Sequence, residues 1–289
     1  MATSNPSKKV VQSTQAAAEP PADGPAWQPR PEDRAKANRQ RLIAIVLWVV
    51  AIAIECFVIF GLLLKQPVQE NYGDGFVTRY PFLWMNLTQN AYFVWLIVLI
   101  VICGVLAIAG SQFWKKANKA DPASEKNKVR FFIQNQLGMI LSLIAFIPLL
   151  VLVLMNKNLK GAQKGTVIAV AAVVLAATAF FGTELNPASS EQYATDQAFV
   201  IAQNGSDVVY WVKGGYTWHL CQQSTDLQHP SKDDQIYSGT VGQAHAAGKT
   251  DLAKRNECGV DNTSGTAIAD WAAHPSTTSS SPAPTETPR

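Results

Sequence analysis

Residues 42–64, LIAIVLWVVAIAIECFVIFGLLL, hold a single charged side chain, Glu55, in 23 positions, and are bounded by Arg41 and Lys65. A helix of that length rises about 34 Å, and the hydrocarbon core of a bilayer is about 30 Å thick. The stretch therefore reads as a transmembrane helix, and the rest of the chain is read outward from it. Over all 289 residues the net charge is +3 and the mean hydropathy +0.04, as in an ordinary soluble protein. Those averages conceal long apolar blocks set among polar segments.

Three further blocks follow. The second expected span runs from about Ala91 to Phe113, with Tyr92, Trp95, Phe113 and Trp114 near its ends, where interfacial aromatics gather. The third runs from about Phe132 to Met155. The fourth, about Thr166 to Gly182, is short and rich in alanine. Its Ala169, Ala172 and Ala176 predict a close helix–helix contact, within the bundle or with a second copy of the chain.

Before the first span, residues 1–40 are rich in proline, alanine and charge, with too little apolar area to offset the entropy of ordering. A disordered basic arm is expected there, with Pro31, Glu32 and Asp33 able to start a short helix that runs into the span. The arm lacks the apolar core of a cleavable leader, so the first span is expected to act as an uncleaved anchor.

Basic residues set orientation. There are seven before the first span (8, 9, 30, 34, 36, 39 and 41), two after it (65 and 79), six after the second (115, 116, 119, 126, 128 and 130) and three after the third (157, 160 and 164). The alternation predicts a cytoplasmic N-terminus in a cell membrane, and four spans return the C-terminal region to the cytoplasm.

Residues 184–206 read as a linker. From Asp207, DVVYWV and YTWHL flank Gly214-Gly215 and predict a β-hairpin. Thr240 before VGQAHAA, with Gly248 after it, predicts a short helix. The module is expected over 207–271, followed by a disordered Ser/Thr/Pro tail over 272–289. So small a core usually needs a staple. A Cys221–Cys258 disulfide would supply about 3–4 kcal/mol in an oxidising compartment. In the cytosol the alternatives are free thiols, or zinc held by His219, Cys221 and Cys258 with His229 or His245. The spacing lacks a CxxC pair. Cys56 and Cys103 lie in spans, as small hydrophobes.

The run VVYWVKGGYTWHLCQQSTDL with SGTVGQAHAAGKTDLAKRNECG resembles a small module of multi-pass membrane proteins from high-GC Gram-positive bacteria. Tyr210, Gly214, Gly215, His219, Cys221, Leu227, Gly239, Thr240, Ala244, Gly248, Lys249, Leu252 and Cys258 carry the resemblance, which covers about 50 of the 289 residues. That module ends in a pair of cysteines, and Ala253 stands where the first of them would be. The resemblance implies a membrane protein and no particular chemistry.

The expected fold class is an all-α membrane bundle of about four transmembrane helices (residues 41–183) plus a small α+β C-terminal domain, a hairpin with one short helix. No phosphate loop, dinucleotide fingerprint, HExxH or GxSxG motif occurs. The basic runs flank spans and are orientation signals before they are nucleic-acid patches. A non-enzymatic, cofactor-free membrane protein that binds a partner or ligand at the envelope is expected. The alternative is a small transporter or channel component using Glu55, with Gln134, Asn135 and Gln136 as its candidate partners.

Overall fold

The computed structural model describes residues 8–12, 27–73, 75–159 and 161–274. They fall into two units. Arg30–Pro187 form one, and the described residues before Arg30 join those from Ala188 onward in the other.

The chain begins with strand β1 (Lys9–Gln12). Helix α1 (Pro31–Val58) starts on a proline, whose missing N–H is no loss at that position, and carries Glu32 and Asp33 in its first turn. It continues as a π-helical turn, Ile59–Leu63, closed by the Leu64 N–H donating to Ile59 O at 2.9 Å. Strands β2 (Val68–Tyr72), β3 (Gly75–Phe82) and β4 (Met85–Leu87) form an antiparallel meander between the first two long helices. Tyr80 stacks on Tyr92 and Phe82 on Trp95, at centroid distances of 4.6 and 5.3 Å, so β3 lies along the start of α2. Leu83, Trp84 and Met85 are exposed.

Helices α2 (Gln89–Ala120), α3 (Lys128–Met155) and α4 (Gly161–Gly182) complete the unit. Thr88 and Asn127 cap α2 and α3 by accepting from the N–H groups of Ala91 and Arg130. Four helices, α1 with its π turn and α2 to α4, are long and apolar enough to cross a membrane. Less than a third of each apolar window is buried within the chain, so most of that apolar surface faces outward. The helices meet through small residues. A Cβ on Gly182 would stand 2.7 Å from the Met139 nitrogen, and one on Gly138 2.4 Å from Ser111 Oγ. The inward face of α4 is Val167, Ala171, Thr178 and Gly182. The alanine set predicted for that contact, Ala169, Ala172 and Ala176, is exposed and so does not make the contact within the bundle.

The other unit is larger than the predicted hairpin and helix. Its elements are α5 (Ser190–Asn204), β5 (Val209–Val212), β6 (Thr217–Trp218), α6 (Thr225–Gln228), β7 (Gln235–Gly239), α7 (Val241–Ala246), β8 (Asp251–Leu252), β9 (Asn256–Glu257), β10 (Val260–Asp261) and α8 (Ala267–Ala273). The expected linker contains α5, capped by Ser189 and ended by Gly205 at φ 71°, because Tyr193, Phe199 and Val200 have a core to bury into. The expected hairpin is reduced to one bridge, Tyr210 with His219. Strand β5 pairs instead with β7, and β6 with β8.

The expected disordered arm also differs, in its described part. Strand β1 runs parallel to β7, from Lys9 opposite Gln235 to Gln12 opposite Ser238. Lys8 Nζ donates to the carbonyls of Leu227 (3.0 Å) and His229, and pairs with Asp234. Trp27 stands edge-on to Tyr193 at 5.0 Å and over Gly242, where a Cβ would lie 2.8 Å from its ring. Residues 1–7 and 13–26 of the arm, and the tail from 275, lie outside the described residues, while 31–40 form the start of α1.

Candidate functional site: a buried carboxyl in the helix bundle

Glu55 sits on the inward stripe of α1 with Ala44, Trp48, Ala51 and Val58, about three turns beyond Ala44. The stripe recurs at three and four residues, so the pattern that buries the apolar side chains buries the acid with them. Glu55 is 7% exposed, and its Oε1 is buried with no hydrogen-bond partner.

It borders a cavity of about 20 Å³ between α1, α2 and α3, walled by Trp48, Ile52, Cys103, Ser142 and Phe146 among others. A space of that size admits one water molecule. The neighbouring donors are already committed to backbone carbonyls. Trp48 Nε1 donates to Ala107 O at 3.3 Å, Cys103 Sγ to Ala51 O at 3.5 Å, and Ser142 Oγ to Gly138 O at 2.8 Å. No lysine or arginine lines the cavity. A carboxylate there would be an unpaired charge among apolar walls, and the neutral acid is the form such a cavity accepts.

The predicted polar partners are elsewhere. The Gln134 carbonyl accepts from Trp114 Nε1, Asn135 Oδ1 accepts from Asn118, and the Gln136 side chain donates to Glu184 O. All three hold the end of α3 that lies far from Glu55.

In the other unit, Cys221 and Cys258 are joined by a disulfide, with 5.7 Å between their Cα atoms. The histidines weighed as metal ligands are dispersed. His219 Nδ1 shares a hydrogen bond of 2.7 Å with Ser224 Oγ, and His245 Nε2 lies 2.9 Å from Asp196 Oδ2. His229 follows α6 at the surface, where its carbonyl accepts from Lys8. Among the described residues no cluster of three or more His, Cys, Asp or Glu has the geometry to hold a metal ion.

Two buried polar features escape a sequence reading. His245 is fully buried and stacks on Tyr193 at 4.0 Å while it pairs with Asp196, which ties α7 to α5. Burial and the Asp196 charge push the Tyr193 phenol above its ordinary range. Lys249 is nearly buried, and its ammonium donates to the carbonyls of Gly214 and Gly215, fixing a turn whose glycines both have positive φ. Burial lowers the Lys249 pKa below the usual lysine value. Neither residue could be paired from sequence, because Asp196 lies 49 residues from His245 and was assigned to a linker.

Asp196→Ala strands the His245 ring and is expected to lower unfolding free energy by about 2 kcal/mol. Asp196→Asn, which keeps an acceptor, should recover much of that loss in thermal unfolding monitored by tryptophan fluorescence. Equal stability of the alanine variant and the parent protein would show that the pair does not hold α5 to α7.

No known protein family, curated protein or solved structure matches the chain.

Proposed function

We propose that the chain is a non-enzymatic integral membrane protein that crosses the bilayer four times, and that Glu55 is the proton-binding group of a small transporter or channel component. One observation carries the reading: a buried carboxyl oxygen, in the wall of a cavity sized for one water, has no protein partner. An ionisable group in that position is costly and is a functional hypothesis by default. Net transport follows if Glu55 releases its proton to water reaching the cavity from one side of the membrane and takes a proton from water reaching it from the other.

The test is proton flux into liposomes carrying the purified protein under an imposed pH gradient. The parent protein should dissipate the gradient, and Glu55→Gln should slow it at least tenfold with unchanged insertion and thermal unfolding. Equal rates for the two proteins, or no flux above empty liposomes, would sink the transport reading.

A second reading is favoured by a different observation. Strand β1 and Trp27 belong to the same unit as the residues after α4, so both ends of the membrane region feed one soluble module. A bilayer crossed four times leaves those ends on the same side, as that pairing requires. The basic residues favour the cytoplasm for that side, whereas the Cys221–Cys258 disulfide is chemistry of an oxidising compartment and favours the outside. In this reading the bundle anchors a module that binds a protein partner or a small ligand. Deleting residues 1–12 should then weaken the module without changing Glu55-dependent flux. Loss of flux together with loss of the module would join the two functions.

A further inference from the structure

We infer that a groove between α1, the last turns of α2 and the first turns of α3 is a binding site for one anionic phospholipid. The groove is open along one side, measures about 810 Å³, and is lined by Arg41, Trp114, Val129, Arg130, Ile133 and Leu137, with Asn127 and Gln134. That volume is in the range of ligand sites, and the lining divides into two chemically distinct parts.

The apolar part is a stripe. Val129, Ile133 and Leu137 recur every four residues and so follow one face of α3 for about 12 Å. Val129 is 70% exposed and Ile133 47%, so among the described residues nothing covers the first two turns of the stripe. Its opposite wall is the Trp114 ring, held by donation from Nε1 to the Gln134 carbonyl at 2.7 Å.

The polar part is cationic. Arg41 is fixed by Asp121, its guanidinium 2.6 Å from the carboxylate, and lies 6.0 Å from the centre of the Trp114 ring. Arg130 is exposed and forms no ion pair among the described residues. It stands in the first turn of α3, where free N–H groups add positive potential. The segment from Lys115 to Arg130 carries six basic residues against two acidic, Asp121 and Glu125.

The occupant that fits both parts has an anionic head for Arg130 and an acyl chain for the α3 stripe. Basic pockets between helices at the cytoplasmic membrane surface select such headgroups. A soluble anion would leave the stripe uncovered, and a zwitterionic lipid would leave Arg130 without its full counter-charge. The inference rests on the four-span reading and is independent of Glu55.

The test uses the full chain in detergent, offered equal amounts of phosphatidylglycerol and phosphatidylcholine with identical acyl chains, with bound lipid counted by native mass spectrometry. The first lipid retained should be phosphatidylglycerol by at least fivefold. Arg130→Gln should bring that preference close to parity, and Ile133→Trp, which fills the groove, should lower retention of both lipids. Parity in the parent protein, or an unchanged preference in Arg130→Gln, overturns the inference. Displacement of the lipid by millimolar inorganic phosphate also overturns it, in favour of a soluble-anion site. Loss of the preference with Glu55-dependent flux intact would remove this site alone. Recovery of the chain from cells in the aqueous fraction without detergent would remove the four-span reading with it.

Discussion

Gly182→Leu is expected to detach α4 from α3. A Cβ at this position would stand 2.7 Å from the Met139 nitrogen and 2.8 Å from the Gly138 carbonyl carbon, and both are helix backbone that has no rotamer to give. Overfilling a packed site costs about 1–3 kcal/mol even where side chains can move. Here the helices themselves must part, so a loss of at least about 3 kcal/mol is expected. The measurement is thermal unfolding of the detergent-solubilised chain, with size-exclusion chromatography to report loss of the compact bundle. Gly165→Ala is the control. It lies on the same helix with nothing within 4 Å of an added Cβ, and should be neutral or stabilising by about 0.5–1 kcal/mol. An unfolding temperature for Gly182→Leu equal to that of Gly165→Ala would show that the α3–α4 approach is not as close as described.

Reduction of Cys221–Cys258 should produce the largest change in the C-terminal module. The bond closes a separation of 37 residues around a small core, and the chain-entropy model gives roughly 4 kcal/mol for a loop of that size. For a module of this size that corresponds to a fall of about 15 °C or more in unfolding temperature. Cys258 also sits at φ 59°, a left-handed backbone that L-residues resist, immediately before Gly259 at φ 81°. Cys258→Gly should therefore be milder than Cys258→Ser by about 1 kcal/mol, although both remove the bond. Cys221, whose φ is not positive, should show no such advantage of glycine over serine.

The same pair reports the compartment. With the module in the cytoplasm, a membrane-impermeant maleimide should label neither cysteine in intact cells, with or without a reductant, and should label both after lysis and reduction. Labelling in intact cells only after reduction would place the module outside and turn the topology over.

The physics of the two units explains how much of each was legible. The apolar stretches announced their helices because a span is recognised by length and composition within one segment, with no partner needed. Even the fourth, supported by length alone, forms α4. Which face of a helix turns inward depends on its neighbours, so the sequence alone did not tell that Val167, Ala171 and Thr178 face the bundle while Ala169, Ala172 and Ala176 face outward. Glu55 was legible as an anomaly of depth. Its isolation was not, because Gln134 and Gln136 are near Glu55 in chemistry and not in space. In the module, local signals held where the structure is local: Thr240 does cap α7, through a reciprocal bond with Gln243. The hairpin failed because β5 finds β7 more than twenty residues on, while Gly214-Gly215 turns the chain under Lys249 without continuing the ladder. Ser189 and Gly205 were visible cap signals for α5, and composition alone outweighed them.

The pairing of β1 with β7 also sets an order of events at the ribosome. Lys9–Gln12 emerge first, and their neighbour Gln235–Gly239 emerges only after all four long helices have been made. Strand β1 stays unpaired until β7 has been made, after the four long helices, and the elements from α7 to α8 follow later still. A chain truncated before residue 235 would carry an open β edge at its start, and its fate would be decided by whatever finds that edge first.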